Sequence, residues 1–344
     1  MHPMQNPSHG VRVARVAVAS LGGTVTMTSA TTAGRAVVPS LSAEDLMKSV
    51  PGLDGLAEVH TTTLSTIPGA SLTLEDAARV LQWAGAEAAS GVDGIVVIQG
   101  TDTIEETSYF WDVHWDNTVP VVVTGAMRPP QLAGADGPAN LLASIRVAVD
   151  AASRHRGVLV VLNDEIHAAR RVRKVNSSLT NAFASPSFGP LGYVDEGRPV
   201  YGSPAGNRAA LVLPQPFVSP KVALLETFLG DSGDTLAALT PGAFGGAVIA
   251  GFGVGHASPS LALAIEQTAA SFPVVLASRT GSGSTHRNSY GFPGSESDLI
   301  AKGAIPAGWL DARKARVLLA SLLAGHAGDE QIRAEFEKRG AALE

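Results

Sequence analysis

Residues 94–103 read GIVVIQGTDT, and the fold can be argued outward from them. Four consecutive aliphatic residues, Ile95 to Ile98, form the pattern of a strand buried on both faces, as in the middle of a parallel sheet. The run stops at Gln99-Gly100, and helix-forming Ile104-Glu105-Glu106-Thr107 comes directly after Thr101-Asp102-Thr103. Hydroxyls and a carboxylate therefore sit on a strand-to-helix turn, at the carboxyl edge where open α/β sheets bind ligands. Thr101 and Asp102 also suit a helix cap, because their oxygens can accept from its free N–H groups. On these ten residues alone, capping is the simpler reading.

The neighbouring sequence repeats the pattern. Strands are expected over 13–20, 119–123 and 157–162, ending at Leu21-Gly22-Gly23-Thr24, at Thr124-Gly125-Ala126 and at Asn163. Helices are expected over 42–50, 74–89 (with Thr73 as cap), 104–115 and 138–152. Residues 25–35, rich in Thr, Ser, Ala and Gly, show no apolar period and read as a loop, while 61–71 reads as extended with a Pro68-Gly69 turn. Alternating strands and helices of this size mean βαβ units, and right-handed crossovers bring the strand ends to one edge. Pro, Gly, Ser and Ala then dominate 202–220, the expected linker. Beyond it, strands at 221–225, 246–251 and 273–278 alternate with helices at 234–239 and 258–271, and helices at 311–324 and 329–339 close the chain. The expected organisation is an α/β domain over 11–201 and a smaller α/β domain over 221–344.

Composition narrows the function. The chain has 344 residues, 45% of them hydrophobic, which is ample for a buried core. A net charge of −6 leaves no basic footprint and argues against nucleic acid as a partner. The basic runs at 154–156 and 170–174 are short and read as solvated loops. With no cysteine there is no thiol nucleophile, disulfide or thiolate-bound metal, and the nine histidines never take metal-ligand spacing. No window approaches the roughly 20 apolar residues of a membrane span. The first ten residues lack a leader pattern, so a cytoplasmic location is expected. Gly251-Phe-Gly-Val-Gly255 lacks the GxGxxG spacing and reads as closely packed backbone.

Thr24, Thr101, Asp102 and Lys174 remain, each shortly after a strand. A threonine hydroxyl is a poor nucleophile until a base takes its proton. Lysine can be that base when burial lowers its pKa, and a carboxylate can orient it and balance its charge. Thr–Lys–Asp is thus a relay for attack on a carbonyl that needs no histidine. Glycines at 22–23, 100 and 125 would let a ligand approach backbone N–H groups able to bind an oxyanion. Taken singly, Thr24 is a turn residue, Asp102 a helix cap and Lys174 a surface lysine; their joint placement favours chemistry.

These residues resemble a known family. Leu21-Gly-Gly-Thr-Val is similar to the first signature of bacterial-type L-asparaginases, usually TGGTI, and Gln99-Gly-Thr-Asp-Thr-Ile-Glu-Glu-Thr resembles the second, usually HGTDTxEET. Thr124-Gly-Ala-Met-Arg-Pro, Ala135-Asp-Gly-Pro-Ala-Asn-Leu, Gly157-Val-Leu-Val-Val-Leu-Asn-Asp, the 170–174 run, Phe188-Gly-Pro-Leu-Gly and Lys314-Ala-Arg-Val-Leu-Leu follow in the family's order. The resemblance implies a flavodoxin-like N-terminal domain with a smaller α/β C-terminal domain, and assembly as a homodimer or homotetramer. It also implies hydrolysis of L-asparagine to L-aspartate and ammonia without a cofactor or metal. By motif, Thr24 is the nucleophile and Thr101, Asp102 and Lys174 form the supporting triad. Asp102 would also meet the substrate α-amino group, Ala126 would help hold the side-chain amide through its backbone, and Gly69 and Ala70 would bind the α-carboxylate.

Departures from the pattern bear on affinity. Leu21 stands for the usual Thr and Gln99 for the usual His, positions expected to tune packing. The lid position that normally holds Tyr is Thr31, Gly69-Ala70 replaces Ser-Gln, Val254 replaces the neighbouring subunit's Asn, and the segment after Ser278-Arg279 is shortened. Fewer polar groups then grip the substrate, so weaker affinity or altered selectivity is expected. Three alternatives stay open: a glutaminase-asparaginase of relaxed specificity, a tRNA-amidation amidase subunit, and a weakly catalytic amino-acid sensor or scaffold. The amidase subunit normally carries a further N-terminal domain, for which the residues before the first strand leave no room.

Overall fold

The structure, a computed structural model, describes residues 12–23, 27–29, 37–39, 42–48, 50–53, 55–206 and 209–342. In chain order its first part comprises β1 (Ala14–Ser20), β2 (Met27–Ser29), β3 (Val37–Pro39), α1 (Ala43–Lys48), β4 (Ala57–Thr63), α2 (Leu74–Ala89), β5 (Gly94–Ile98), α3 (Ile104–His114), β6 (Val121–Thr124) and α4 (Gly137–Val149). It continues through β7 (Val158–Leu162), β8 (Glu165–Ala168), β9 (Arg173–Lys174), β10 (Phe183–Ala184), β11 (Gly192–Asp195) and β12 (Arg198–Tyr201). The second part holds β13 (Val222–Glu226), α5 (Asp234–Ala237), β14 (Gly246–Gly251), α6 (Pro259–Ala269) and β15 (Val274–Ser278). It ends with α7 (Glu296–Ala301), β16 (Ile305–Pro306), α8 (Ala312–Ala324) and α9 (Asp329–Arg339).

Among the described residues, eight strands form the large sheet in the order β12-β11-β8-β7-β6-β5-β1-β4. From β7 to β4 the pairings are parallel, as the sequence implies. Every residue of β5 is buried. Gly94 opens that strand because a Cβ there would lie 2.2 Å from the Ala148 carbonyl oxygen of α4. The other half of the sheet departs from the expected parallel pattern: β8, β11 and β12 join antiparallel. Asn163 and Asp164, both at positive φ, make the two-residue turn from β7 into β8. Glu196-Gly197 does the same between β11 and β12. Two successive left-handed residues match the right-handed twist of paired strands.

The smaller sheet, order β13-β14-β15-β16, is parallel throughout. Between the two sheets, α3 packs on α8. Every residue of α3 except Glu106 is buried, which befits a helix enclosed on all sides. One core cluster runs from Val97 and Val123 of the large sheet through Phe110 and Val317 to Val248 of the small one. The 202–220 segment is not a free tether where it is described. Leu211 donates its N–H to the Val113 carbonyl, and the Phe217 ring meets Phe110 edge-on at 5.1 Å.

Smaller corrections concern short elements. Met27–Ser29 pairs antiparallel with Val37–Pro39, so part of the expected 25–35 loop is a strand. Residues 57–63 form an edge strand of the large sheet, where only extended backbone beginning at 61 is expected from sequence. Among the described residues no helix is long and apolar enough to cross a membrane.

Candidate active site

The exits of β1, β5 and β6 converge because glycine backbones pack directly on one another. Gly23, at φ +96°, would place a Cβ 2.3 Å from the Gly100 nitrogen, and a Cβ on Gly69 would lie 2.9 Å from the Gly100 oxygen. A Cβ on Gly125 would lie 2.6 Å from the Gln99 oxygen. These glycines were expected to admit a ligand; the structure shows them admitting neighbouring loops. A Gly23→Ala substitution combines left-handed strain with backbone collision, for which about 2–4 kcal/mol of destabilisation is expected. Urea unfolding of the variant checks it, and a loss below about 1 kcal/mol would contradict this packing.

Thr24 lies outside the described residues, as does Thr31. The other expected catalytic side chains meet. Lys174 Nζ donates to Thr101 Oγ1 at 2.9 Å and to Asp102 Oδ1 at 2.9 Å. Thr101 is 5% exposed, whereas the Asp102 side chain is 61% exposed. Neither caps α3. The N-cap position belongs to Thr103, whose hydroxyl donates to the Gly69 carbonyl at 3.0 Å. Gln99, fully buried, supports that link: its Nε2 lies 3.4 Å from Thr103 Oγ1, and its Oε1 accepts from Thr107 at 2.8 Å. The family position usually held by His is thus filled here by an amide that ties the β5 exit to the turn at Gly69. Gly69 is buried and Ala70 exposed.

Ala126 is fully buried at the exit of β6. The loop after it is held by residues whose part in the site sequence reasoning missed. Asp136 accepts from the Met127 and Arg128 N–H groups at 3.0 and 2.9 Å. Asn140 donates to the Gly125 carbonyl at 3.0 Å and accepts from the Asn163 N–H at 2.9 Å. The signal was Ala135-Asp-Gly-Pro-Ala-Asn-Leu, a polar pair flanking the start of a helix.

The basic run 170–174 is not a solvated loop. Arg170 and Arg171 donate to the carbonyls of Ala341 and Ala342, and Arg171 stacks over the Phe188 ring at 3.8 Å. Lys174 itself is only 17% exposed. Among the described residues no group of three metal-ligating side chains gathers. Gly251 and Gly255 pack against backbone and side chains, matching the reading of that run as close-packed.

A family model described as "Asparaginase, N-terminal" matches residues 15–205, and "Glutaminase/Asparaginase C-terminal domain" matches 221–336. The chain is 34% identical over 330 residues to a probable L-asparaginase of Deinococcus radiodurans, covering 94% of this chain and 97% of that one. It is 37% identical over 193 residues to a glutaminase-asparaginase of Pseudomonas fluorescens, covering 54% and 52%. A solved structure, a probable cytoplasmic L-asparaginase from Campylobacter jejuni, superposes with TM-score 0.82 at 31% identity, covering 94% of this chain and 99% of that one. On the two matching family models and these near-full-length likenesses, the chain belongs to the bacterial-type L-asparaginases, a family of amide hydrolases.

Proposed function

We propose that the chain hydrolyses the side-chain amide of L-asparagine to L-aspartate and ammonia, with Thr24 as nucleophile and Thr101, Lys174 and Asp102 as the proton relay. The observation that carries this reading is the Lys174 amine, 2.9 Å from both a buried threonine hydroxyl and a carboxylate. A neutral lysine can take the Thr101 proton as Thr101 takes the one Thr24 gives up, while Asp102 balances the charge that appears. The Thr24 oxygen then attacks the amide carbon, the relay hands its proton to the leaving amine so that ammonia departs, and water cleaves the resulting ester to give aspartate and free Thr24. The exposed face of Asp102 suits an α-amino group, and backbone at Gly69, Ala70 and Ala126 suits the α-carboxylate and the amide. The reading includes a homodimer or homotetramer in the cytoplasm, with no cofactor, nucleic acid or membrane partner.

The Pseudomonas relative supports a second reading, relaxed specificity with L-glutamine as a further substrate. Ammonia release from asparagine and from glutamine, by wild type and by Thr24→Ala, tests both. Wild type is expected to turn over asparagine, with KM above the micromolar range, because Gly69, Ala70 and Val254 offer no polar side chain where the family pattern has one. Thr24→Ala is expected to lose at least about 10³-fold in kcat. Binding of asparagine without ammonia release would make the chain a sensor and end the enzymatic reading.

A further inference from the structure

We propose that the C-terminal domain positions the relay lysine: helix α8 and its N-cap hold residues 172 and 173 directly and residue 174 through Glu105. This rests on the reading of Lys174 as the base.

The three ties are consecutive. Lys314, on α8 and fully enclosed, donates its ammonium to the Val172 carbonyl. The Arg173 guanidinium pairs with Asp311 at 3.0 Å, and Asp311 is the N-cap of α8. The Lys174 backbone N–H donates to Glu105 Oε2 at 3.1 Å, and the other oxygen of that carboxylate pairs with Arg313 of α8 at 3.2 Å. Glu105 is buried and lies three residues after Asp102. The turn before α3 therefore carries both partners of the Lys174 side chain, and the first turn of α3 carries the acceptor for its backbone.

Strand pairing alone leaves this segment weakly held. Strand β9 is two residues long and pairs with β10, itself two residues long, outside the large sheet. Charge-assisted hydrogen bonds and ion pairs from α8, its N-cap and Glu105 stand in for the missing ladder. Burial pushes the Lys314 ammonium down to about 8, while Glu105 and Asp311 act in the opposite direction. A lysine amine must stay near 3 Å from its proton partner, and a shift of about 1 Å can lower turnover about a hundredfold. Glu105, Arg313 and Lys314 are positioning residues on this account, since none of them touches the substrate.

The test uses the full-length chain and five proteins. Arg313→Gln removes the ion pair at a partly exposed side chain and is expected to fold; Glu105→Gln removes it from the buried side. Both are expected to lower kcat on asparagine about tenfold with KM within about threefold. Arg313→Lys keeps the charge and is expected to recover most of the turnover. Lys302→Gln breaks an ion pair with Asp298 at the end of α7, outside the ties to residues 172–174, and is expected to leave kcat and KM unchanged. Hydrogen exchange at the Lys174 amide is expected to speed up in Arg313→Gln and Glu105→Gln but not in Lys302→Gln. An active wild type with native kcat in both Arg313→Gln and Glu105→Gln overturns the inference, as does an equal loss in Lys302→Gln. A wild type that releases no ammonia overturns the underlying reading instead.

Discussion

Lys174→Met is expected to lower kcat on asparagine by about 10³-fold or more while the chain stays folded. General acid–base catalysis contributes about 10²–10⁴-fold, and 10³ corresponds to about 4 kcal/mol of barrier. The substitution leaves one buried hydroxyl, that of Thr101, without its partner, a stability loss of about 1–2 kcal/mol. Asp102 is largely exposed and can be solvated by water. Loss of turnover would therefore far exceed loss of fold. Lys174→Arg separates proton transfer from mere contact. A guanidinium can still donate to both Thr101 and Asp102, but it does not release its proton in a protein. Lys174→Arg should consequently be almost as inactive as Lys174→Met. Ammonia release and a thermal unfolding curve on each variant check this, and Lys174→Arg retaining more than about a tenth of wild-type kcat would remove lysine from the role of base.

What the sequence shows and what it hides divide along chain distance. The fully buried β5, the capping box joining Thr73 and Asp76 on α2, and the parallel pairing from β7 to β4 follow from local period and local hydrogen bonds. Pairings between remote segments do not. In residues 101–103, two hydroxyls and a carboxylate have equal capping chemistry, yet Thr101 and Asp102 accept from the Lys174 amine of β9, and Thr103, at the N-cap position, donates to the Gly69 carbonyl. The same holds for the basic run. Its charges suggest solvent, yet their partners are Asp311, the Phe188 ring and carbonyls at the far end of the chain. The antiparallel strands β8, β11 and β12 are only four residues each, too short for a strong period. The residues of positive φ that join them, Asn163-Asp164 and Glu196-Gly197, are the signal a closer reading could use. Family resemblance bridged part of the distance by naming Lys174; Glu105, Asp136 and Asn140 became visible only through their hydrogen bonds.

Acid should destabilise this fold well before its carboxylates are protonated, and His114 is the reason. It ends α3, where its Nδ1 donates to the Leu211 carbonyl at 3.1 Å and its ring packs on Phe110 at 4.9 Å. The buried Nε2 has no hydrogen-bond partner among the described residues. Burial pushes this imidazole down to about 4; the Leu211 carbonyl acts against the shift and the nearby Arg339 charge adds to it. In the unfolded chain the same ring titrates near 6.5. Between pH 6.5 and 4 the unfolded state therefore holds a proton that the folded state refuses, so stability falls as the pH falls. From pH 7.5 to 4.5 this amounts to about 2–3 kcal/mol. His167, fully buried and 3.0 Å from the Ser185 hydroxyl, is shifted the same way by burial, also to about 4. Urea unfolding across this range should show proton uptake, and His114→Phe should remove about one proton of it near pH 5 whatever its effect on absolute stability. An unchanged slope in His114→Phe would mean that the ring is already charged in the folded state. The consequence reaches the site, because the helix that ends at His114 begins beside Thr101 and Asp102. Acid that unfolds the chain should then abolish activity and helix content together on the same titration.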